Sequence, residues 1–233
     1  MDTTVYTIKP HKLNNLYSLS CNSMEQTTHP STLIEGIYER ETEKLTANMF
    51  NISNSIYLGQ YYRDYASKHL KKMPVFLRNI CNGIYHWGQK HYSCSFASLL
   101  NAYQCKNIED FCARVIPDIP KFTIKEWIAN CFSKEGTSID LLVDNFGTGN
   151  KFVIQQEQDV YNIEIPNRAI IYEDKHFYAF IKQHDKLIII DSIKSYIEEN
   201  HSSNRNINAF AREYFVNKIN NKKGEGFIII ELK

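Results

Sequence analysis

The sequence predicts an α+β fold, a helical half followed by a mainly antiparallel sheet, with a mostly helical N-terminal extension. Three observations carry this reading. In the first part of the chain apolar residues recur at helical spacing, as at Phe96, Leu99, Leu100 and Tyr103. From Lys151 onward the pattern changes to short runs rich in Ile, Val, Phe and Tyr, which is the composition of strands. Finally, His176 to Lys182, the polar turn Gln183 to Lys186 and Leu187 to Asp191 read together as a β-hairpin.

Taken in order, residues 1 to about 30 are polar and aperiodic and are expected to be irregular. Ser31 can cap a helix through Leu33, Ile34, Ile37 and Tyr38, with the charged run Glu39 to Lys44 as its solvated face. A second helix is expected over Ser55 to Lys72. It carries Tyr57, Leu58, Tyr61, Tyr62 and Tyr65 on one side, and Pro74 closes it. That tyrosine-rich side is either a docking surface or a packing face. Residues 1–74 are therefore read as an extension and 75–233 as a catalytic domain.

Ser93 is placed as the N-cap of the helix that opens with Cys94. Asn107 can cap the next helix, and Thr123 with Glu126 forms a capping-box pattern ahead of Trp127, Ile128 and Cys131, with Gly136 as the stop. Thr137 or Ser138 then caps Ile139, Leu142, Val143 and Phe146, stopped by Gly147. Strands are expected at Lys151 to Gln155, Arg168 to Glu173, His176 to Lys182, Leu187 to Asp191 and Gly226 to Leu232. A helix with the stripe Ile207, Phe210, Ala211, Tyr214 and Phe215 precedes the last of these.

Composition narrows the function classes. With 43% hydrophobic and 23% charged residues the chain is globular, and a net charge of +1 supplies no broad basic surface, so nucleic acid is not an expected partner. The longest apolar runs are strand-sized, so no membrane span is expected. The N-terminus lacks the basic start and apolar core of a secretory signal, and the six cysteines are scattered without CxxC pairs. Both features suit a reducing, cytoplasmic setting, or export by a route that signal rules do not detect.

The chemistry is concentrated in four residues. A cysteine in the first turn of a helix meets unpaired backbone N–H groups and the positive end of the helix dipole, which favour the nucleophilic thiolate. Gln89, five residues upstream in a loop, can turn its carboxamide toward the oxygen of a carbonyl attacked by Cys94, completing an oxyanion hole with the Cys94 N–H. An even-numbered turn between the two hairpin strands puts His176 and Asp191 on one face. They are then directly opposite or one diagonal apart, and the carboxylate can hold the imidazole in one tautomer. Cys, His and Asp in that chain order form a papain-like arrangement. Read singly, Cys94 is more often an ordinary buried thiol and His176 with Asp191 more often a surface pair; it is their joint occurrence with Gln89 that points to a site.

With these residues in view, Gln89-Lys-His-Tyr-Ser-Cys-Ser-Phe-Ala-Ser-Leu-Leu-Asn-Ala-Tyr-Gln104 resembles the opening motif of the Josephin family of cysteine deubiquitinases. Gly136 to Ile154, Lys175 to Lys182 and Leu187 to Ser192 are similar to that family's later helix and strands. The resemblance covers about residues 84 to 232. The segment between Cys94 and His176 is shorter than the family's, Phe177 stands where it commonly has Trp, and the first 80 or so residues have no counterpart in it. The resemblance implies a papain-like fold in which Cys94 is the nucleophile, His176 the base, Asp191 the orienting residue and Gln89 the oxyanion donor. It implies ubiquitin or ubiquitin-conjugated proteins as partners and no cofactor or metal. Trp87, Tyr92 and Phe177 are candidates for the walls of a narrow channel that admits only glycine, or else are core residues.

Three alternatives stand beside it. Another papain-like enzyme, a protease, deamidase or acyltransferase, begins with the same thioester step. A zinc-binding module built from Cys81, His86, His91 and Cys94 has a spacing that matches no common ligand set. A module without catalysis is weakened by the presence of all four candidate positions.

Overall fold

A computed structural model describes residues 52–117, 123–203, 206–221 and 226–233. The expected irregular arm and the helix after Ser31 lie outside the described residues. The chain divides into two compact units, Met1–Tyr62 with Pro117–Phe122, and Arg63–Ile116 with Thr123–Lys233. Of the first, the described part is the beginning of helix α1 (Ile52–Leu70) together with Pro117. The second unit contains every candidate site residue.

α1 ends two residues earlier than expected, and the turn after it is closed by the Met73 N–H on the Leu70 carbonyl. The segment from Val75, expected only as the entrance to the catalytic region, is an antiparallel hairpin of β1 (Val75–Cys81) and β2 (Ile84–Gln89). Its two-residue turn is Asn82-Gly83, with φ of 50° and 80°. Positive φ at both positions is the requirement of a type I′ turn, and Asn-Gly is the pair that meets it most easily. Gln89 accordingly stands at the end of a strand and not in a loop.

Four short helices come next: α2 (Cys94–Ala102), α3 (Ile108–Arg114), α4 (Ile124–Cys131) and α5 (Ile139–Phe146). Their apolar faces meet in an aromatic cluster of Phe96, Phe111, Trp127 and Phe146, with Phe96 and Phe111 edge to face at 5.3 Å and Trp127 and Phe146 at 4.6 Å. Such pairs add to the large area that each ring buries. Asn107 and Ser138 cap as expected, accepting from Asp110 N–H at 2.7 Å and Asp140 N–H at 3.2 Å. Thr123 does not, because its hydroxyl accepts from Asn145 instead. Gly136, with φ of 79°, shapes the turn after α4 and does not itself stop the helix, which ends at Cys131.

The second half is a six-stranded sheet in the order β3-β8-β4-β5-β6-β7, with every neighbouring pair antiparallel. Its strands are β3 (Gly147–Ile154), β4 (Arg168–Glu173), β5 (His176–Gln183), β6 (Lys186–Ile190), β7 (Glu198–His201) and β8 (Phe227–Leu232). The sheet also has a short helix, α6 (Glu157–Tyr161), inserted after β3. That helix and edge strand β7 were not anticipated. Strand alternation turns Ile171, Tyr178, Phe180, Leu187, Ile189 and Ile229 toward helix α7 (Ile207–Asn221), which packs Ala211, Phe215 and Ile219 into them. Helix α2 lies against β4 and β5. With both faces covered, β6 reads as the unbroken apolar run Leu187 to Ile190. The architecture is a mixed α+β domain with a large antiparallel sheet, and no helix among the described residues is long and apolar enough to cross a membrane.

Candidate active site

Two tight turns deliver the site residues. Glu173 pairs with His176 across Asp174-Lys175, both at positive φ, so β5 begins at His176 immediately after the reversal. Ala179 pairs with Ile190, and extending that register by one step sets Asp191 opposite Tyr178, with His176 one diagonal away. Both side chains are then on one face at the end of the sheet. His176 Nε2 donates to Asp191 Oδ1 at 2.8 Å. The same carboxylate oxygen accepts the Ile193 N–H at 3.0 Å.

Cys94, the first residue of α2, brings a partly exposed thiol to this pair, within hydrogen-bonding reach of the His176 imidazole and the backbone N–H groups of Phe177 and Ser95. Since Nε2 is engaged by Asp191, Nδ1 is the ring nitrogen left for sulfur. Ser93 precedes the helix, but its hydroxyl does not cap it. It donates to the Pro74 and Lys90 carbonyls and so ties the loop before Cys94 to the base of β1.

The electrostatics are set by this geometry. Burial pushes the Cys94 thiol up, yet the His176 hydrogen bond and charge and the two backbone N–H groups outweigh it and bring it below the ordinary thiol value. Burial likewise lowers His176, but Asp191 and Cys94 favour the imidazolium and raise it to about 9. Asp191 is held below the usual carboxylate range: burial opposes the charge, while His176, the Ile193 N–H and Lys194 stabilise it. By contrast, burial takes Cys105, Cys112 and Cys131 up to about 12. At neutral pH those three are inert thiols, whereas the surroundings of Cys94 shift it toward the thiolate, the nucleophilic form of a cysteine, and those of His176 shift it toward the imidazolium.

Gln89 is fixed at both ends of its carboxamide. Oε1 accepts from the Ser192 hydroxyl at 2.6 Å, and Nε2 donates to the His91 carbonyl at 3.0 Å, leaving one amide hydrogen uncommitted. Its backbone N–H also donates to the Ser192 carbonyl at 3.3 Å. The hairpin β1–β2 is thereby joined to the residue next to Asp191. No family model, curated protein or solved structure matches this chain.

Of the three aromatic wall candidates, Tyr92 is exposed. Trp87 is buried, its indole N–H donating to the Cys105 carbonyl at 2.7 Å and its backbone held on both sides by the Asn101 carboxamide. It is a core residue. Phe177 also turns its ring inward, against Tyr172 at 4.7 Å, and offers only its backbone N–H to the site. Among the described residues no group of three or more His, Cys, Asp or Glu side chains converges as a metal site, which leaves the zinc reading of Cys81, His86, His91 and Cys94 without a geometric basis. Sequence reasoning gave no role to Ser192 and weighed His86 only as a zinc ligand. The Asn82-Gly83 turn was the signal that would have placed β2, and with it His86, on a strand beside Asp191.

Proposed function

We propose that the chain is a papain-like cysteine hydrolase of the deubiquitinase type, cleaving isopeptide bonds at the ubiquitin C-terminus through Cys94, His176 and Asp191. The observation that carries the reading is the joint geometry of four residues from four places in the chain: Cys94 at a helix start, His176 at the start of β5 and Asp191 just beyond β6, 2.8 Å apart, and Gln89 at the end of β2 locked by Ser192. Cys94 thiolate attacks the carbonyl carbon, and the oxyanion draws on the Gln89 amide hydrogen and the backbone N–H of Cys94. His176 then passes its proton to the leaving lysine amine, and a thioester remains on Cys94. Water attacks the thioester with His176 as general base, releasing the carboxylate and the thiol. Asp191 holds the ring throughout and balances its charge.

A macromolecular substrate is supported by the exposed apolar side chains on the loops beside the site. Tyr92 is 56% exposed two residues before Cys94, and Ile193 and Tyr196 are 62% and 57% exposed just after Asp191. Side chains of this size left in water next to a nucleophile suit contact with a protein surface. Their role, and the choice of ubiquitin, rest on the resemblance of residues 89–104 and the later strands to the Josephin pattern.

Incubation with ubiquitin carrying a C-terminal electrophile tests the substrate. The expected result is a covalent adduct on Cys94, absent in Cys94→Ala, together with hydrolysis of at least one di-ubiquitin linkage. Folded protein that forms no adduct and cleaves no linkage would remove the deubiquitinase reading and leave another thiol protease, deamidase or acyltransferase.

A further inference from the structure

We infer that His86 is a positioning residue for the catalytic pair, holding Asp191 in place through the backbone. The inference rests on the triad reading of Cys94, His176 and Asp191, and goes beyond it.

His86 is fully buried on β2, with 0% exposure. Its Nε2 lies 3.3 Å from the Asp191 carbonyl oxygen. A carbonyl can only accept, so Nε2 carries the hydrogen and Nδ1 is the bare nitrogen of the neutral ring. Nδ1 is buried and has no hydrogen-bond partner among the described residues. A histidine buried with half its polar capacity unmet is a poor choice for packing, where an aliphatic side chain would carry no such penalty. Its other half explains its presence.

Asp191 stands one residue beyond β6, where the ladder has run out: β5 pairs with β6 only as far as Ile190 and β7 only as far as Ile189. Its carbonyl has no strand partner. His86 supplies the missing donor. Arg78, on neighbouring β1, donates from its guanidinium to the next carbonyl, that of Ser192, at 3.2 Å. Gly88 makes the crossing possible, because a Cβ there would meet the Arg78 guanidinium at 2.9 Å and the Phe76 ring at 2.7 Å. Together with the Gln89 N–H on the Ser192 carbonyl, these donors from one hairpin hold the two consecutive carbonyls that follow the Asp191 Cα and so limit how the backbone bearing its side chain can turn. The charged groups that face His86 are Arg78 and Asp191. Hydrogen bonds placed behind a catalytic group are what hold it within the narrow geometry that catalysis needs.

The test reads Cys94 alone and needs no substrate. The rate of alkylation by iodoacetamide is followed from pH 5 to 10, with the site of modification mapped to Cys94 by mass spectrometry. It is measured for wild type, His86→Gln, His86→Asn, His86→Leu and His176→Ala. Gln places an amide N–H near the position of Nε2, whereas Asn places it near Nδ1. The expected result is that His86→Gln keeps the wild-type profile, while His86→Asn and His86→Leu move the acid limb upward by about one pH unit, slowing alkylation near pH 6 about tenfold. If His86→Leu does not fold, the Gln and Asn pair still decides. Equal profiles for Gln and Asn, or a wild-type profile for folded His86→Leu, would overturn the inference. His176→Ala separates the two levels: if it leaves the profile unchanged the triad itself is wrong, and if it shifts the profile while the His86 variants do not, only the role of His86 falls.

Discussion

The Ser192 hydroxyl donates to Gln89 Oε1 at 2.6 Å. This one bond decides which way the Gln89 carboxamide faces, because an oxygen already occupied by a donor leaves the NH₂ group to point elsewhere. With one of its hydrogens on the His91 carbonyl, a single N–H remains without a partner among the described residues, the one the proposed mechanism assigns to the oxyanion. Gln89→Ala is expected to lower kcat by about 10² to 10³ with little change in KM, the scale for losing one oxyanion donor. Ser192→Ala keeps the donor but releases its orientation, and a fall in kcat of about 5- to 10-fold is expected, the worth of one ordinary hydrogen bond. Steady-state hydrolysis of a ubiquitin C-terminal fluorogenic conjugate checks both, and a fully active Gln89→Ala protein would refute the oxyanion assignment.

On the proposed mechanism Cys94, His176 and Asp191 should not be equivalent. Cys94→Ala and His176→Ala remove the nucleophile and the proton carrier and should abolish turnover. Asp191→Ala leaves both in place with a loosened ring, so a measurable fraction should survive. Single-turnover assays on the three proteins give this order; a residual activity of Cys94→Ala comparable with wild type would point to chemistry elsewhere.

Much of this site was legible in the sequence, and its gaps have physical causes. The shared face of His176 and Asp191 follows from turn parity alone, and the register of β5 on β6 realises the diagonal option. The helix start at Cys94 was visible from Phe96, Leu99 and Leu100. Ser93, however, spends its hydroxyl on the Lys90 carbonyl three residues back and on the Pro74 carbonyl, a tertiary partner that no local pattern contains. β1 and β2 escaped notice because Asn82-Gly83 is flanked by strands without clean alternation: β2 is buried on both faces through His86, Trp87 and Gly88. Trp87, beside Gln89, reads equally as a cleft wall or a core residue. Its indole in fact finds the Cys105 carbonyl, a partner 18 residues away in sequence.

Asn101 offers a stability test. Its carboxamide accepts the Trp87 N–H at 2.6 Å and donates to the Trp87 carbonyl at 3.0 Å, standing in for a strand beside β2. Asn101→Leu fills the same space but orphans two buried backbone groups, and a loss of about 2 to 4 kcal/mol in urea unfolding is expected. A loss under about 0.5 kcal/mol would mean that β2 does not depend on this clamp.

The coupled ionisations predict a pH window with a definite sign. His176 is raised from 6.5 to about 9, so the stability it contributes is complete below about 6.5 and is lost as pH rises through about 9. Asp191 is lowered, so its contribution is present above the ordinary carboxylate value and is lost as pH falls through its depressed one. Acylation on the proposed mechanism uses the His176 imidazolium to protonate the leaving amine, so kcat/KM should fall through an alkaline limb near pH 9. An alkaline limb near 6.5 in kcat/KM would show that the pair is not formed.

The most direct measurement is the NMR titration of the His176 ring, followed through its carbon-bound proton or ring nitrogens in wild type and in Cys94→Ala. Wild-type His176 is predicted to remain an imidazolium through pH 7 and to titrate near about 9, and removing the thiolate should move the midpoint down, with Asp191 sustaining part of the elevation. A wild-type midpoint near 6.5, unmoved by Cys94→Ala, would contradict the ion pair on which the proposed chemistry stands.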